Sequence, residues 1–363
     1  MNKKILIVVG SFKTGGAERM AINTGESLHQ NGYEVHYFLQ RGIIEIPNQI
    51  DKERIYIANP SEVRFSFLSH LISIFKIFYF SLKFRPFVVI GYTHFSSFIS
   101  CFSFSRRIIA RFDIYPYRMN KLWKHYMASF ISYWPFVINI IVPSYGIGNK
   151  LKSINSKFQK KIHTIHNSID ADKIKNLANA SPAIELPDRY ISAMGRFSTQ
   201  KNFELLIKAY AASKIAKTHK LLIIGDGAKK TEMLKMIHSY GLGDQIIITG
   251  FLSNPFPVVK KSSLFVNPSL YESFCNVILE AAILDVPVIA TDCEFGPSEI
   301  IKNGYNGILV ENNNLYDLVS SIDLIAQNEQ TRLALVEGCK KSFAEFELDS
   351  IKQNWLQLLE SIQ

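Results

Sequence analysis

Asn267-Pro268-Ser269-Leu270-Tyr271-Glu272-Ser273-Phe274-Cys275-Asn276-Val277-Ile278-Leu279-Glu280-Ala281-Ala282 is the stretch on which the reading of this chain turns. Ahead of it, Leu264-Phe265-Val266 has the makings of a short buried strand, and Pro268 ends it because proline has no N–H to give a ladder. After it, Asn276 to Leu284 combines helix formers with apolar periodicity, and Ser273 stands where an N-cap is expected. The segment is therefore strand, loop and helix, with Glu272 at the mouth and Glu280 two turns along. In an open α/β sheet, ligands lie outside the carboxyl ends of the strands, where loop amides and a helix N-terminus attract anions. A phosphate fits at Phe274, Cys275 and Asn276. The two carboxylates suit sugar hydroxyls on either side of it, a combination that points to a nucleotide sugar.

Glu272-Ser273-Phe274-Cys275-Asn276-Val277-Ile278-Leu279-Glu280-Ala281 resembles the E-x-F-x-N-x-x-x-E-A signature of glycosyltransferase family 4, whose members are retaining and have the GT-B fold. The resemblance implies that Glu272 contacts the donor sugar and Glu280 the ribose. This chain departs from the family at Cys275, where Gly or Pro is usual, and at Ser273, where Gly is frequent.

Working outward, the composition is that of a folded protein: 363 residues, 47% hydrophobic and 20% charged, enough for two domains each with its own core. Four cysteines (Cys101, Cys275, Cys293, Cys339) show no paired spacing, which argues against a disulfide framework or zinc site and for a reducing compartment. Residues 1–170 carry 22 Lys and Arg against 9 Asp and Glu, while the remainder carries 19 against 22. The positive excess therefore belongs to the N-terminal half and suits nucleic acid, an anionic membrane or an anionic substrate there. Lys4 to Val9 is too short for the apolar core of a signal peptide and reads as a first parallel strand. Phe87 to Ser105 is uncharged but interrupted by Gly91, Thr93, His94 and serines, so it reads as strand, loop and helix start rather than a membrane span.

Further strands are expected at Glu34–Leu39, Phe87–Ile90, Arg107–Arg111 and Ile138–Val142, with helices between, the alternation of a doubly wound parallel sheet. The loop Gly10 to Arg19 opens a helix to about His29, and its Gly15-Gly16 pair lets backbone approach a ligand. Gly15-Gly16-Ala17-Glu18-Arg19 resembles the family's loop that closes over the donor. Asn120 to Trp134 puts Trp123, Tyr126, Phe130, Tyr133 and Trp134 near one helical face beside Lys121 and Lys124, which suits either a membrane surface or a core. Ser66 to Phe84 has an apolar face broken by Lys76 and Lys83.

Ile162 to Asp170 resembles the family's linker strand. The pair Asp170-Ala171-Asp172 mimics a metal-holding motif but is better read as a solvated N-cap. Tyr190 to Phe197 then repeats the pattern of Ile5 to Phe12, and Arg196 and Lys201 lie in the loop between this strand and a helix from Asn202 to Ala216. Their guanidinium and ammonium suit a diphosphate, and Gly195-Arg196 with Lys201-Asn202 matches the family's G-R…K-N pattern. Ile246 to Leu252 resembles the strand and loop whose backbone, at Phe251 and Leu252, reads the base. A last helix, Asp349 to Ile362, is expected to cross back to the first domain.

The resemblance implies an α/β protein of GT-B fold, with two Rossmann-like doubly wound parallel-sheet domains facing across a cleft. An acceptor-binding domain spans 1–168, a nucleotide-sugar-binding domain 169–346, and a returning helix 347–363. It implies retaining transfer from a nucleotide sugar, with UDP as the expected nucleotide, and without a metal or other cofactor. The acceptor is expected to be a polyprenyl-diphosphate-linked saccharide in surface-polysaccharide synthesis, reached from the cytoplasmic face of an anionic membrane, with no nucleic acid as partner. Glu272, Arg196, Lys201 and Asp113 are the expected catalytic residues, with Arg111 and His94 as alternatives to Asp113. Gly15, Gly16, Gly195, Phe251, Leu252, Phe274, Cys275, Asn276 and Glu280 are expected to bind the donor. An epimerase of the same fold, a transferase with a soluble acceptor, and a non-catalytic binding protein remain as alternatives.

Overall fold

A computed structural model of the chain describes residues 3–13, 15–46, 50–60, 67–116, 122–154 and 156–362. The chain divides into two compact units, Met1–Ser168 with Leu348–Gln363, and Ile169–Glu347. Each is built on one parallel sheet. In the first unit the strands are β1 (Lys4–Val9), β2 (Glu34–Arg41), β3 (Ile55–Asn59), β4 (Val88–Tyr92), β5 (Ile108–Arg111), β6 (Val137–Val142) and β7 (Ile162–Thr164), in the order β3-β2-β1-β4-β5-β6-β7. In the second they are β8 (Tyr190–Met194), β9 (Lys220–Ile224), β10 (Ile246–Gly250), β11 (Phe265–Asn267), β12 (Val288–Asp292) and β13 (Ile308–Glu311), in the order β10-β9-β8-β11-β12-β13. The strand order reverses between β1 and β4 and again between β8 and β11, so each sheet has a switch point at which a doubly wound fold opens a crevice.

Helices cover both faces of these sheets, which is why the central strands are continuous Ile, Leu and Val runs rather than alternating ones. One side of the second sheet packs Leu222, Phe265 and Val288 against the helix Asn276–Ile283, and the other packs Ile191, Leu221 and Ile289 against the helix Phe203–Ala212. In the first unit, Ile5, Ile7 and Val9 share a core with Ile351, Trp355 and Leu359 of the C-terminal helix Leu348–Ser361, so the last helix belongs to the first sheet's core.

Several boundaries differ from the sequence expectations. The edge strand β3 was not expected; its Lys- and Arg-rich approach and short length hide it. β11 is displaced one residue towards the proline. The helix after Asn202 ends at Ala212, because Ser213 is extended (φ −87°, ψ 155°), and a 3₁₀ turn Lys214–Lys217 follows. Phe87 to Ser105 contains β4 and the helix His94–Ser100. Among the described residues, no helix is long and apolar enough to cross a membrane.

Candidate active site

The switch point of the second sheet brings two loops side by side. β8 and β11 run parallel as neighbours, so Gly195 to Asn202 and Pro268 to Cys275 both leave from carboxyl ends. Leu270 N donates to Gln200 O (2.8 Å) and Gln200 Nε2 donates to Tyr271 O (3.0 Å), tying one loop to the other. Within this frame Lys201 Nζ donates to Glu272 Oε1 at 2.6 Å, and the pair is well shielded, with side chains 16% and 8% exposed. Ser269 Oγ lies 2.7 Å from the same carboxylate oxygen and 3.1 Å from Asn267 Oδ1. One hydroxyl proton cannot serve both acceptors, so the Asn267 amide is better oriented with its nitrogen towards the hydroxyl, an orientation that hydrogen-bond logic decides. Asn267 then donates to Ser269, and Ser269 donates to Glu272.

Burial is the largest single influence and pulls the Lys201 ammonium down, but the Glu272 charge and hydrogen bond, together with the nearby Cys275 and Cys293, outweigh it and hold the pKa above the ordinary lysine value. Lys201 is therefore charged throughout the physiological range. It has three N–H donors, of which Glu272 takes one. The lysine stem reaches Glu272 by passing over Gly195, where an added Cβ would stand 3.2 Å from Lys201 Cε. Gly225, at the end of β9, is needed for the same crossing, since a Cβ there would meet Gly195 O at 2.0 Å. Arg196 is exposed and makes no ion pair among the described residues.

Sequence reasoning placed the helix cap at Ser273. The structure corrects this: Cys275 is the N-cap of Asn276–Ile283, in the left-handed region (φ 79°, ψ 64°), and no side chain caps it. A glycine suits that backbone, which gives the physical reason for glycine there in the related signature. Phe274 and Cys275 are buried, and Asn276 and Glu280 are half-buried on the helix. Burial, with Glu272 nearby, drives the Cys275 thiol well above its ordinary pKa. Beyond β10, Phe251 is exposed and Leu252 half-buried. Asp170 caps the helix Ala171–Leu177 by accepting from Lys173 N at 2.9 Å, and no cluster of His, Cys, Asp or Glu suited to a metal occurs among the described residues.

The first unit arranges its candidates separately. Gly15 is the extended N-cap of the helix Gly16–Gln30, where a Cβ would meet Glu18 Oε2 at 2.2 Å, and Gly16 opens that helix. Asp113 accepts from Arg111 Nε at 2.7 Å and from Thr93 N at 3.2 Å. Arg111 is 1% exposed and also reaches Asn167 Oδ1 at 2.6 Å, which makes it a support for those two side chains rather than a surface contact. His94 stacks on Phe112 with ring centroids 4.4 Å apart. Ser269, Gln200 and Asn267 were not foreseen; the one signal for Asn267 and Ser269 is that they are polar residues flanking Pro268, five and three residues ahead of Glu272, and Gln200 is marked only by standing next to Lys201.

Residues 175–342 match the family described as glycosyl transferases group 1. That match lies within the second unit and takes in Arg196, Lys201, Glu272 and Glu280. It is 26% identical over 376 residues to the Campylobacter jejuni N-acetylgalactosamine-N,N'-diacetylbacillosaminyl-diphospho-undecaprenol 4-alpha-N-acetylgalactosaminyltransferase, covering 98% of this chain and 99% of that one. It is 24% identical to the lipopolysaccharide core glycosyltransferase LpsE of Rhizobium meliloti, covering 96% and 97%. Among solved structures, Anabaena HepE in complex with UDP and glucose superposes with a TM-score of 0.82 at 19% identity, covering 99% of both chains, a likeness of fold. The epimerase alternative has no support among these relatives. For this glycosyltransferase the GT-B fold follows, two parallel-sheet α/β units of seven and six strands.

Proposed function

We propose that this glycosyltransferase moves a sugar, with retention and without a metal, from a UDP-sugar held by the second unit to a polyprenyl-diphosphate-linked saccharide at the cytoplasmic face of an anionic membrane. The observation that carries the donor site is the shielded Lys201–Glu272 pair at the switch point beside the exposed Arg196. Two N–H groups of Lys201 remain for phosphate oxygens, Arg196 supplies a bidentate fork, and the helix start at Cys275 and Asn276 adds its partial positive charge. These groups oppose the charge that grows on the leaving diphosphate. Glu272, fixed by Ser269, keeps lone pairs for a donor-sugar hydroxyl, and Glu280 serves the ribose. Phe251 and Leu252 flank the base, and Gly15 and Gly16 let the first unit's loop approach the donor.

Asp113 is the candidate polar contact to the donor sugar from the first unit, since Arg111 and Thr93 fix it. Retention is supported by the 4-alpha name of the Campylobacter relative, and the lipid-linked acceptor by its diphospho-undecaprenol substrate. The membrane reading is supported by the excess basic charge of residues 1–170 and by the exposed Trp123, Tyr126 and Tyr133 on the helix Leu122–Tyr133; Lys121 lies outside the described residues. The test is incubation of purified protein with labelled UDP-sugars and polyprenyl-diphosphate saccharides in EDTA, with the product anomer read by NMR. An α-linked product in EDTA is expected. A β-linked product, or activity restored only by Mn²⁺, would overturn retention or metal independence respectively.

A further inference from the structure

The helix Phe67–Phe84 has its polarity the wrong way round for water. Its buried positions, Ser69, Ser73, Ile77 and Ser81, recur every fourth residue and are mainly hydroxyls. They are satisfied: Asn59 Nδ2 donates to Ser73 Oγ at 2.9 Å, Ser73 Oγ donates to Ser69 O at 2.9 Å, and Phe104 N donates to Ser81 Oγ at 2.8 Å. The opposite face carries Leu68, Leu71, Phe75, Phe78, Tyr79 and Leu82, all exposed, with Phe75 at 72% and Leu68 at 65%. A helix on the surface of a soluble domain turns its apolar stripe inward, and a contiguous apolar face turned outward marks something that covers it. Exposed Phe104 extends this face, its ring 5.9 Å from that of Phe78.

The charge around the stripe selects the covering medium. From Val63 to Ile169 the sequence has 15 Lys and Arg and one acidic residue, Asp113, which is already paired with Arg111. Lys83 and Arg106 are exposed at the helix end and just past Phe104. An apolar stripe bordered by these basic side chains, with the Glu34 carboxylate at its Phe84 end offset by Lys4 at 3.6 Å, is complementary to anionic lipid headgroups over acyl chains. The helix does not leave its sheet to do this, because Lys76 Nζ donates to Ala58 O at 2.5 Å and Phe80 packs on Tyr56 with centroids 4.7 Å apart. It would lie in the plane of the interface.

We infer that the helix Phe67–Phe84 inserts its Leu68-to-Leu82 stripe into the acyl boundary of an anionic bilayer. The inference rests on the membrane-bound reading above and deepens it, from electrostatic contact by the helix Leu122–Tyr133 to insertion by a different helix. The native thiols at Cys101, Cys275, Cys293 and Cys339 are buried, so Phe75→Cys provides an exposed site for an environment-sensitive fluorophore. With vesicles of phosphatidylcholine and phosphatidylglycerol the label at 75 should shift to the blue and be quenched by brominated acyl chains. Vesicles of phosphatidylcholine alone should leave it unchanged. Leu71→Asp with Phe78→Asp should weaken vesicle partition about tenfold or more at unchanged circular dichroism. A label at Tyr126→Cys serves as comparison. If the protein floats with the vesicles and the label at 75 stays in water, insertion is overturned and surface contact survives. If the protein never floats, both readings fall. A blue shift without vesicles that grows with protein concentration would assign the stripe to a second copy of the chain and overturn the proposal. Loss of sugar transfer with the vesicle response intact would count against the lipid-linked acceptor alone.

Discussion

Removing either member of the Lys201–Glu272 pair should be costly, and the two costs should be unequal. Glu272→Ala leaves the ammonium, 16% exposed, without its carboxylate, whereas Lys201→Ala leaves a carboxylate that keeps the Ser269 hydroxyl at 2.7 Å and the Gln200 amide at 3.5 Å. Breaking a buried pair from one side costs about 3–5 kcal/mol. The partly open mouth of the site favours the lower end of that range for Glu272→Ala, and Lys201→Ala should cost roughly 1–2 kcal/mol less, about one retained charge-assisted hydrogen bond. The double variant buries no orphan charge, so the cycle should show coupling of about 2 kcal/mol. Urea unfolding followed by far-ultraviolet circular dichroism measures this. Trp123, Trp134 and Trp355 all belong to the first unit, so tryptophan emission is the internal control. Additivity within about 0.5 kcal/mol, or equal costs for the two single variants, would refute the argument. The pH dependence has a definite sign. The folded pKa of Lys201 is raised, so the pair's contribution is complete below the ordinary lysine value of about 10.4 and is lost only as pH rises through the folded value. Wild type, but not Lys201→Met, should lose this increment in strongly alkaline solution.

Gly195→Ala should displace the Lys201 stem and lower turnover about tenfold or more while the fold is kept; full activity would show that the 3.2 Å approach yields freely. Arg196→Ala should reduce kcat more than it raises KM, since charge on the leaving group grows towards the transition state, and a pure KM effect would reduce it to a binding group. Cys101, Cys293 and Cys339 are pushed up to about 12 by burial, and Cys275 is raised as well, so the native protein should resist iodoacetamide at neutral pH and react only on unfolding; rapid native labelling would contradict their burial.

The parallel-sheet class was legible because buried strands leave β-branched runs, as at Lys4–Val9 and Val137–Val142. What local pattern could not carry was pairing across the chain. Lys201 and Glu272 are 71 residues apart and were assigned different tasks, and only the adjacency of β8 and β11 puts them 2.6 Å from each other. Ser273 carries the chemistry of a cap, yet the left-handed turn at Cys275 starts the helix two residues later, since tertiary packing fixes the loop against Gly296, where a Cβ would strike Phe274 O at 2.6 Å. The aromatic residues after Asn120 could not be assigned to core or surface by periodicity. The structure divides them, leaving Trp123, Tyr126 and Tyr133 exposed while Trp134 packs on Phe102 and Phe130.

The central claim is that the switch point of the second sheet holds UDP, its diphosphate through Arg196 and its ribose through Glu280. Calorimetric titration of UDP into wild type, Arg196→Ala and Glu280→Ala, all in EDTA, tests it most directly. The account predicts one UDP site in the wild type, weakened roughly ten- to a hundredfold by each substitution. Equal affinity in all three proteins, or no UDP binding in the absence of a metal, would contradict it.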